Sequence, residues 1–262
     1  MPVPSSAYCY PYRIVSNDPV APQMMRIRLE CPELAASIEP GQFMNIAVPG
    51  DAREILRLPF SWAAKDAGAG WVEFSYLVVG SGTQRLAGLA PGTCADLIGP
   101  AGHGWEIPEK ASRALVVGGG SGVVPVVPLA RELALRGTAV DFVQGAPTAA
   151  RVIYERELAD YGVALHVSTD DGTRGVHGFT TAVTERLLDE NRYDVVYACG
   201  PTPMMRATAA QAHAHGVACQ VSMEKLMACG FGVCTTCLVD TKQGRKGACM
   251  AGPVFDAEEV LW

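Results

Sequence analysis

Three observations in the sequence predict a multidomain chain: an antiparallel β module, then an α/β domain with a doubly wound parallel sheet, then a small cysteine-bearing segment. Up to about residue 108, short strand-like runs are separated by Gly and Pro turns. From residue 113, strands alternate with helical stretches. The last forty residues hold four cysteines and five glycines, without the apolar periodicity of a self-sufficient core. The expected domains are 1–108, 109–221 and 222–262.

In the first module, "RIRLECP", "GQFMNIAVPG", "WVEFSYLVVG" and "ADLIGPAG" each carry a strand-like run bounded by Gly or Pro. That spacing suits an antiparallel barrel or sandwich. "ILRLPFSW" (55–62) and "GSGT" (80–83) are its candidate ligand features, although on their own they are ordinary strand and turn. "EIPEKAS" (106–112) reads as a linker.

In the second module, "ALVV" is a short buried strand, followed by a glycine turn and a helical stretch ending near "ALRG". "AVDFVQG" and "ALHVSTDDG" are further strands, and "FTTAVTERLLDE" has the apolar spacing of a helix. "YDVVYACG" is a strand, "TPMMRATAAQAHAHG" a helix stopped by Gly216, and "ACQVSM" a last strand. Such alternation implies a parallel sheet with helices on both faces. Gly118, Gly119, Gly120 and Gly122 lie between the first strand and its helix, where phosphates can meet backbone N–H groups at the positive end of the helix dipole. The third glycine of the usual dinucleotide fingerprint is replaced by Pro125, and a turn made only for packing would look the same. Cys199 closes a strand at the carboxyl edge of the sheet, where doubly wound folds bind ligands.

In the third module, Cys229, Cys234, Cys237 and Cys249 follow Cys-x4-Cys-x2-Cys with a later fourth thiol, the ligand pattern of a plant-type [2Fe–2S] cluster. Each of two irons needs two thiolates, so one loop has to wrap the pair, and Gly230 and Gly232 permit the dihedrals this takes. Their backbone N–H groups are then free to point at sulfur. Zinc sites favour paired Cys-x2-Cys knuckles, and only one such pair exists here. The stretch around "TKQGRKG" reads as a hairpin that returns Cys249 to the site. The final Val260, Leu261 and Trp262 read as exposed.

Composition narrows the function. The 262 residues are 49% hydrophobic and 18% charged, with a net charge of −6 and no Lys/Arg cluster, which argues against a nucleic-acid partner. "ALVVGGGSGVVPVVPLA" (114–130) is too short and too broken for a membrane span. The start, "MPVPSSAYCYPYR", lacks the pattern of a secretory signal, and nine cysteines then point to a reducing cytoplasm. Cys9, Cys31, Cys94, Cys199 and Cys219 are scattered and read as small buried hydrophobes. No acid–base constellation is visible, so bound cofactors are expected to carry the chemistry.

The order of these parts, with "YACGPTPMM" and "EKLMACGFGVCTTC…GACMAGPVF", resembles the ferredoxin reductase-like superfamily. Within it the chain is most similar to the electron transfer subunits of NAD-dependent (class 1B) dihydroorotate dehydrogenase, over essentially its whole length. The resemblance implies FAD in an N-terminal β-barrel, NAD on the second domain and [2Fe–2S] at the C-terminus. It also implies a catalytic partner subunit holding FMN, in a heterotetramer of two catalytic and two electron transfer subunits. Electrons would pass from that FMN through [2Fe–2S] and FAD to NAD+ in pyrimidine biosynthesis.

By the same resemblance Pro59, Phe60 and Ser61 lie along the flavin, Ser75, Tyr76 and Leu77 form the neighbouring strand, and Gly82 and Thr83 meet the FAD phosphates. Gly119, Gly120 and Gly122 face NAD, and Cys199 and Gly200 face the nicotinamide, with Cys199 the candidate catalytic residue. Leu58 stands where the family has an arginine that clamps the pyrophosphate, and Leu77 where relatives often have a basic residue. Arg57 lies one place earlier, on the opposite strand face, so Arg53, Arg57 and Arg85 are the candidate phosphate partners. After "AVDFVQG" the chain runs "APTAA", without the Ser/Arg pair of an NADP site, although Arg151 follows. The alternative is an FAD/[2Fe–2S] subunit of another multi-subunit oxidoreductase or hydrogenase complex. In NADH-dependent ferredoxin:NADP relatives Asp commonly replaces the first cluster cysteine, so Cys229 favours the dihydroorotate reading.

Overall fold

A computed structural model describes residues 8–50 and 56–262. The first part contains β1 (Tyr8–Ala21), β2 (Met24–Glu30), α1 (Pro32–Ser37), β3 (Phe43–Ile46), β4 (Leu58–Ser61), β5 (Ala64–Asp66), β6 (Trp71–Leu77), α2 (Ser81–Ala87) and β7 (Cys94–Ala101). Its seven strands form one antiparallel sheet in the order β4-β3-β7-β1-β2-β6-β5. Along β2, Ile27 and Leu29 are buried while Arg26, Arg28 and Glu30 beside them are not, the period-two pattern of a half-buried strand. The sheet curls until Phe60 on β4 stacks on Phe74 of β6 at 4.7 Å between ring centroids. Among the described residues its edges exchange no ladder bonds, so the module is barrel-like rather than a closed barrel.

Strand β1, the longest in this sheet, is absent from the sequence reading. It contains Pro11 and Pro19, which count against a central strand. The structure explains the tolerance. Residues 8–13 of β1 pair with β7, whereas 13–21 pair with β2, so each half keeps one free edge.

The second part contains β8 (Arg113–Gly119), α3 (Val123–Leu135), β9 (Ala139–Ala146), α4 (Glu155–Ala159), β10 (Ala164–Thr169), β11 (Val176–His177), α5 (Thr180–Glu190), β12 (Val195–Cys199), α6 (Thr202–Ala214) and β13 (Ala218–Ser222). The sheet order is β11-β10-β9-β8-β12-β13, all parallel. Side chains alternate between two cores. Ala114, Val116, Phe142 and Tyr197 pack with α3 and with the interior of the first module. Leu115, Val117, Val143 and Val196 face the other way, with residues of α5 and α6. Trp105 joins the modules: its indole N–H donates to the Pro125 carbonyl at 3.3 Å, and its ring meets Tyr197 edge-on.

The third part contains the hairpin β14 (Leu238–Thr241) and β15 (Gly244–Gly247), then β16 (Val254–Asp256), which adds antiparallel to β13 at the edge of the parallel sheet. Cys237, Val239, Ala248 and Phe255 belong to the same buried cluster as α5 and α6, which supplies the core that the segment cannot make alone.

Three expectations need correction. Val260 is buried and bridges to Thr241 on the hairpin, while only Leu261 and Trp262 are exposed. Cys9 and Cys94 are exposed, because they sit on β1 and β7 with side chains outside the sheet's core. His213 and His215, on the polar end of a helical stretch, are expected at the surface, but His215 is partly covered, with Glu185 and Asp189 at 3.5 and 3.6 Å.

Candidate functional site

The four thiols occupy a loop and a hairpin end. Cys237 and Cys249 are buried, Cys234 is exposed and Cys229 lies between these extremes. The Cys234 backbone N–H donates to Cys229 Sγ, and the Cys249 N–H to Cys237 Sγ, each at 3.4 Å. Gly230, Gly232 and even Thr235 adopt positive φ (77°, 88° and 54°), so the chain winds tightly between the first three thiols. Burial and the adjacent Cys237 push the Cys249 thiol up to about 12. Hydrogen bonds involving Thr236 and Cys229 bring Cys234 down to about 6.

These residues fit a two-iron cluster. Among the described residues no three of the four sulfurs lie within 4.8 Å of one another. A single tetrahedral zinc would draw all four to roughly 3.8 Å spacing, whereas two irons spread them. A Cβ on Gly230 would lie 2.1 Å from Asn45 Nδ2, a buried donor with no partner among the described residues. An unmet N–H beneath the loop suits an acceptor such as sulfur.

A first cavity of about 430 Å³ opens beside this loop. Leu58, Pro59, Phe60 and Ser61 of β4 line one wall, and Ser75, Tyr76 and Leu77 of β6 the next. Thr83 closes one end, where its hydroxyl accepts the N–H groups of Val79 and Gly80 and holds the turn. Ser121, Gly122 and Cys199 form the side toward the parallel sheet. Met223, Glu224, Lys225 and Met227 come from the start of the cysteine segment, a wall the sequence reading misses although "MEKLM" directly precedes the motif. An apolar slot with a few polar groups fits a flat ring system such as a flavin's.

The residues expected to meet phosphates are not gathered at one end of this cavity. Gly82 lies behind Leu58 rather than in the cavity wall: its Cβ would meet Leu58 Cδ2 at 3.1 Å. Arg57 is engaged on β7, donating to the Asp96 carbonyl at 3.0 Å and pairing with the Asp96 carboxylate. Arg85 runs past Gly50, its Cδ 3.3 Å from where a Cβ there would lie, and Arg53 lies outside the described residues.

A second cavity, about 570 Å³, sits at the carboxyl ends of β8, β9 and β10. Gly119, Gly120 and Gly145 line it with Pro201, Met204 and Asp170, and no Lys or Arg is among the described residues of its wall. Such glycine turns at strand carboxyl ends fit a nucleotide. The chain leaves β8 for α3 on one face of the sheet and β12 for α6 on the other, with Cys199 opposite Gly118 in register. Gly122 approaches so closely that a Cβ would lie 2.4 Å from the Cys199 carbonyl oxygen. Gly200, at φ +153°, packs on Gly119. The two turns therefore form the shared wall of both cavities. Burial pushes the Cys199 thiol up to about 12, with nearby Glu224 adding to the effect. It is a neutral thiol donating weakly to the Ser222 carbonyl at 3.5 Å, and its chemistry is that of a surface rather than a nucleophile.

Comparison with known proteins agrees with this geometry. Residues 224–261 match the family profile described as the iron–sulfur cluster binding domain of dihydroorotate dehydrogenase B, and 116–210 that of an oxidoreductase NAD-binding domain. The dihydroorotate dehydrogenase B (NAD(+)) electron transfer subunit of Bacillus caldolyticus is 42% identical over 228 residues, spanning 85% of this chain and 87% of that protein. That of Geobacillus thermodenitrificans is 38% identical over 253 residues, 95% and 96% of the two chains. Among solved structures, that of an NADH-dependent reduced ferredoxin-NADP oxidoreductase, described in connection with flavin-based electron bifurcation, superposes with TM-score 0.87 at 31% identity, covering 95% of this chain and 89% of that one. A ferredoxin NADP+ reductase from Neisseria gonorrhoeae with bound FAD and NADP shares the fold: TM-score 0.67, 15% identity, 79% and 92% coverage.

Proposed function

The chain belongs to the electron transfer subunits of NAD-dependent dihydroorotate dehydrogenase B, and on that premise we propose that the first cavity is its flavin site, the second its NAD+ site and the thiol loop its face toward an FMN-holding catalytic subunit. It is an iron–sulfur flavoprotein oxidoreductase subunit using [2Fe–2S], FAD and NAD. Bound flavin supplies the conversion between single electrons, which an iron–sulfur cluster carries, and the pair that nicotinamide takes.

The protein's own part is holding and screening. Cys229, Cys234, Cys237 and Cys249 would ligate the irons. Pro59, Phe60 and Ser61 with Ser75, Tyr76 and Leu77 would grip the flavin ring edge and face, and Thr83 would sit toward its phosphates. Gly119, Gly120 and Gly200 would leave room for the dinucleotide backbone, and Gly122 and Cys199, between the two cavities, would bound the place where nicotinamide reaches the flavin. The neutral Cys199 thiol packs there without adding charge. We also assign a cytoplasmic heterotetramer of two catalytic and two electron transfer subunits, to which exposed Cys234 would present the outward side of the loop.

One observation carries this reading: Met223, Glu224, Lys225 and Met227 of the cysteine segment line the first cavity, and the Gly122 and Cys199 turns bound it on the side of the second. The thiol loop, flavin slot and nucleotide slot are thus contiguous. The test is Cys249→Ser in the complete complex. NADH formation from dihydroorotate should fall more than about a hundredfold, while NADH-driven reduction of a dye at the flavin stays within about twofold. Equal loss of both activities would reject this order of sites.

A further inference from the structure

Tyr154 has a backbone that its side chain does not favour. It precedes α4 with φ 64° and ψ 17°, left-handed geometry that a bulky residue adopts only when its surroundings enforce it. Its side chain leaves the α/β domain and enters the first module. There the phenol donates a 2.7 Å hydrogen bond to Ser75 Oγ, with both side chains buried. Arg26 of β2 covers the ring at 4.6 Å and pairs with Glu157 of α4 at 2.7 Å, which anchors the contact from both sides. Ser75, in turn, lines the first cavity.

A serine hydroxyl has one proton and two lone pairs. When Tyr154 occupies a lone pair as donor, the Ser75 proton has to point elsewhere, and among the described residues Ser75 Oγ donates to no other group. The phenol is the stronger acid of the two and is the natural donor. Burial pushes it up to about 12, so it keeps its proton throughout the neutral range.

We propose that Tyr154 is a positioning residue for the flavin: by donating to Ser75 Oγ it turns the serine O–H into the cavity, as a fixed donor to a flavin-ring acceptor. The inference rests on the first cavity being the flavin site. It gives the nucleotide domain a direct hold on the electronics of a cofactor seated mainly in the other module, because a donor to the ring favours added negative charge there. The strained backbone at residue 154 then has a purpose, since a relaxed residue at this corner would not carry the phenol across the interface.

The test uses the full chain carrying FAD. Tyr154→Phe keeps the ring under Arg26 and removes only the donor, while Ser75→Ala removes the O–H itself. Each variant is expected to shift the flavin absorption bands and lower its midpoint potential in the same sense, and to weaken FAD binding by about fivefold, one net hydrogen bond. The double variant should add little to either. Tyr154→Phe with the parent's spectrum and potential, even if its melting temperature falls, would reduce the contact to a structural latch and overturn the proposal. Failure of the site assignment shows separately: Ser61→Trp fills the cavity, and FAD retained at full occupancy in that variant would place the flavin elsewhere.

Discussion

At the scale of single residues, charge decides what each cavity accepts. The second cavity has Asp170 in its lining and, among the described residues, neither Lys nor Arg. A 2′-phosphate on the adenosine would bring about two negative charges with no cation among those lining residues to pair them and a carboxylate to repel them. NAD is therefore the better guest. Asp170→Arg should raise the kcat/KM ratio of the phosphorylated over the plain dinucleotide by about tenfold or more. Steady-state dye reduction with NADH and NADPH measures it. An unchanged ratio would mean that the adenosine end lies away from Asp170. Close approach works by a different route at Gly122 and Gly230, where the next heavy atom leaves no space for a side chain. Hence the glycine turns, weak as sequence signals, become specific once the partners that crowd them are known.

At the scale of elements, the parallel sheet was the most legible part. Val116, Phe142 and Tyr197 fall in buried strand runs, and α5 shows its apolar face directly in "FTTAVTERLLDE". The cysteine spacing was equally open to reading, because metal ligation fixes residue type and interval together. Three features were hidden, each for its own reason. Strand β1 carries prolines that only its split pairing explains. The Arg57 pairing with Asp96 depends on a neighbour 39 positions away. The Tyr154–Ser75 contact joins residues 79 apart and leaves no local pattern. The base of the parallel sheet offers a prediction at this scale. Asp141 of β9, its side chain only 6% exposed, accepts Arg113 Nε and His166 Nε2 at 2.8 Å and Tyr193 Oη at 2.9 Å. Burial works against its charge, but hydrogen bonds from His166, Arg113 and Tyr193 outweigh it and hold the carboxyl near 2, below the usual 3.8. A lowered folded-state value stabilises the fold above the unfolded value and loses that effect as pH falls through the folded one. About 2 kcal/mol should therefore disappear between pH 5 and pH 2. Denaturant unfolding across that range should show the loss, and Asp141→Asn should flatten the dependence.

At the scale of the whole molecule, the cysteine segment and the parallel sheet share one core. β16 extends that sheet beyond β13, with Phe255 opposite Val221, and Phe255 packs so tightly that a Cβ on Gly252 would lie 2.3 Å from its ring. The Cys237 and Cys249 side chains are buried in the same cluster as Phe255 and Met205 of α6. A perturbation at Phe255 has no boundary at which to stop. Phe255→Ala should cost roughly 3–5 kcal/mol through lost burial and the cavity left behind. Because the thiol hairpin rests on that core, the iron–sulfur absorbance and the far-ultraviolet circular dichroism should move to lower denaturant together, under anaerobic conditions. Bleaching of the chromophore at lower denaturant with the dichroism transition unmoved would show that the cluster segment unfolds by itself. Coincident shifts would mean instead that the thiol hairpin and the nucleotide sheet unfold as one unit, so that the shared wall of the two cavities and the outward thiol loop keep a fixed relation while electrons cross.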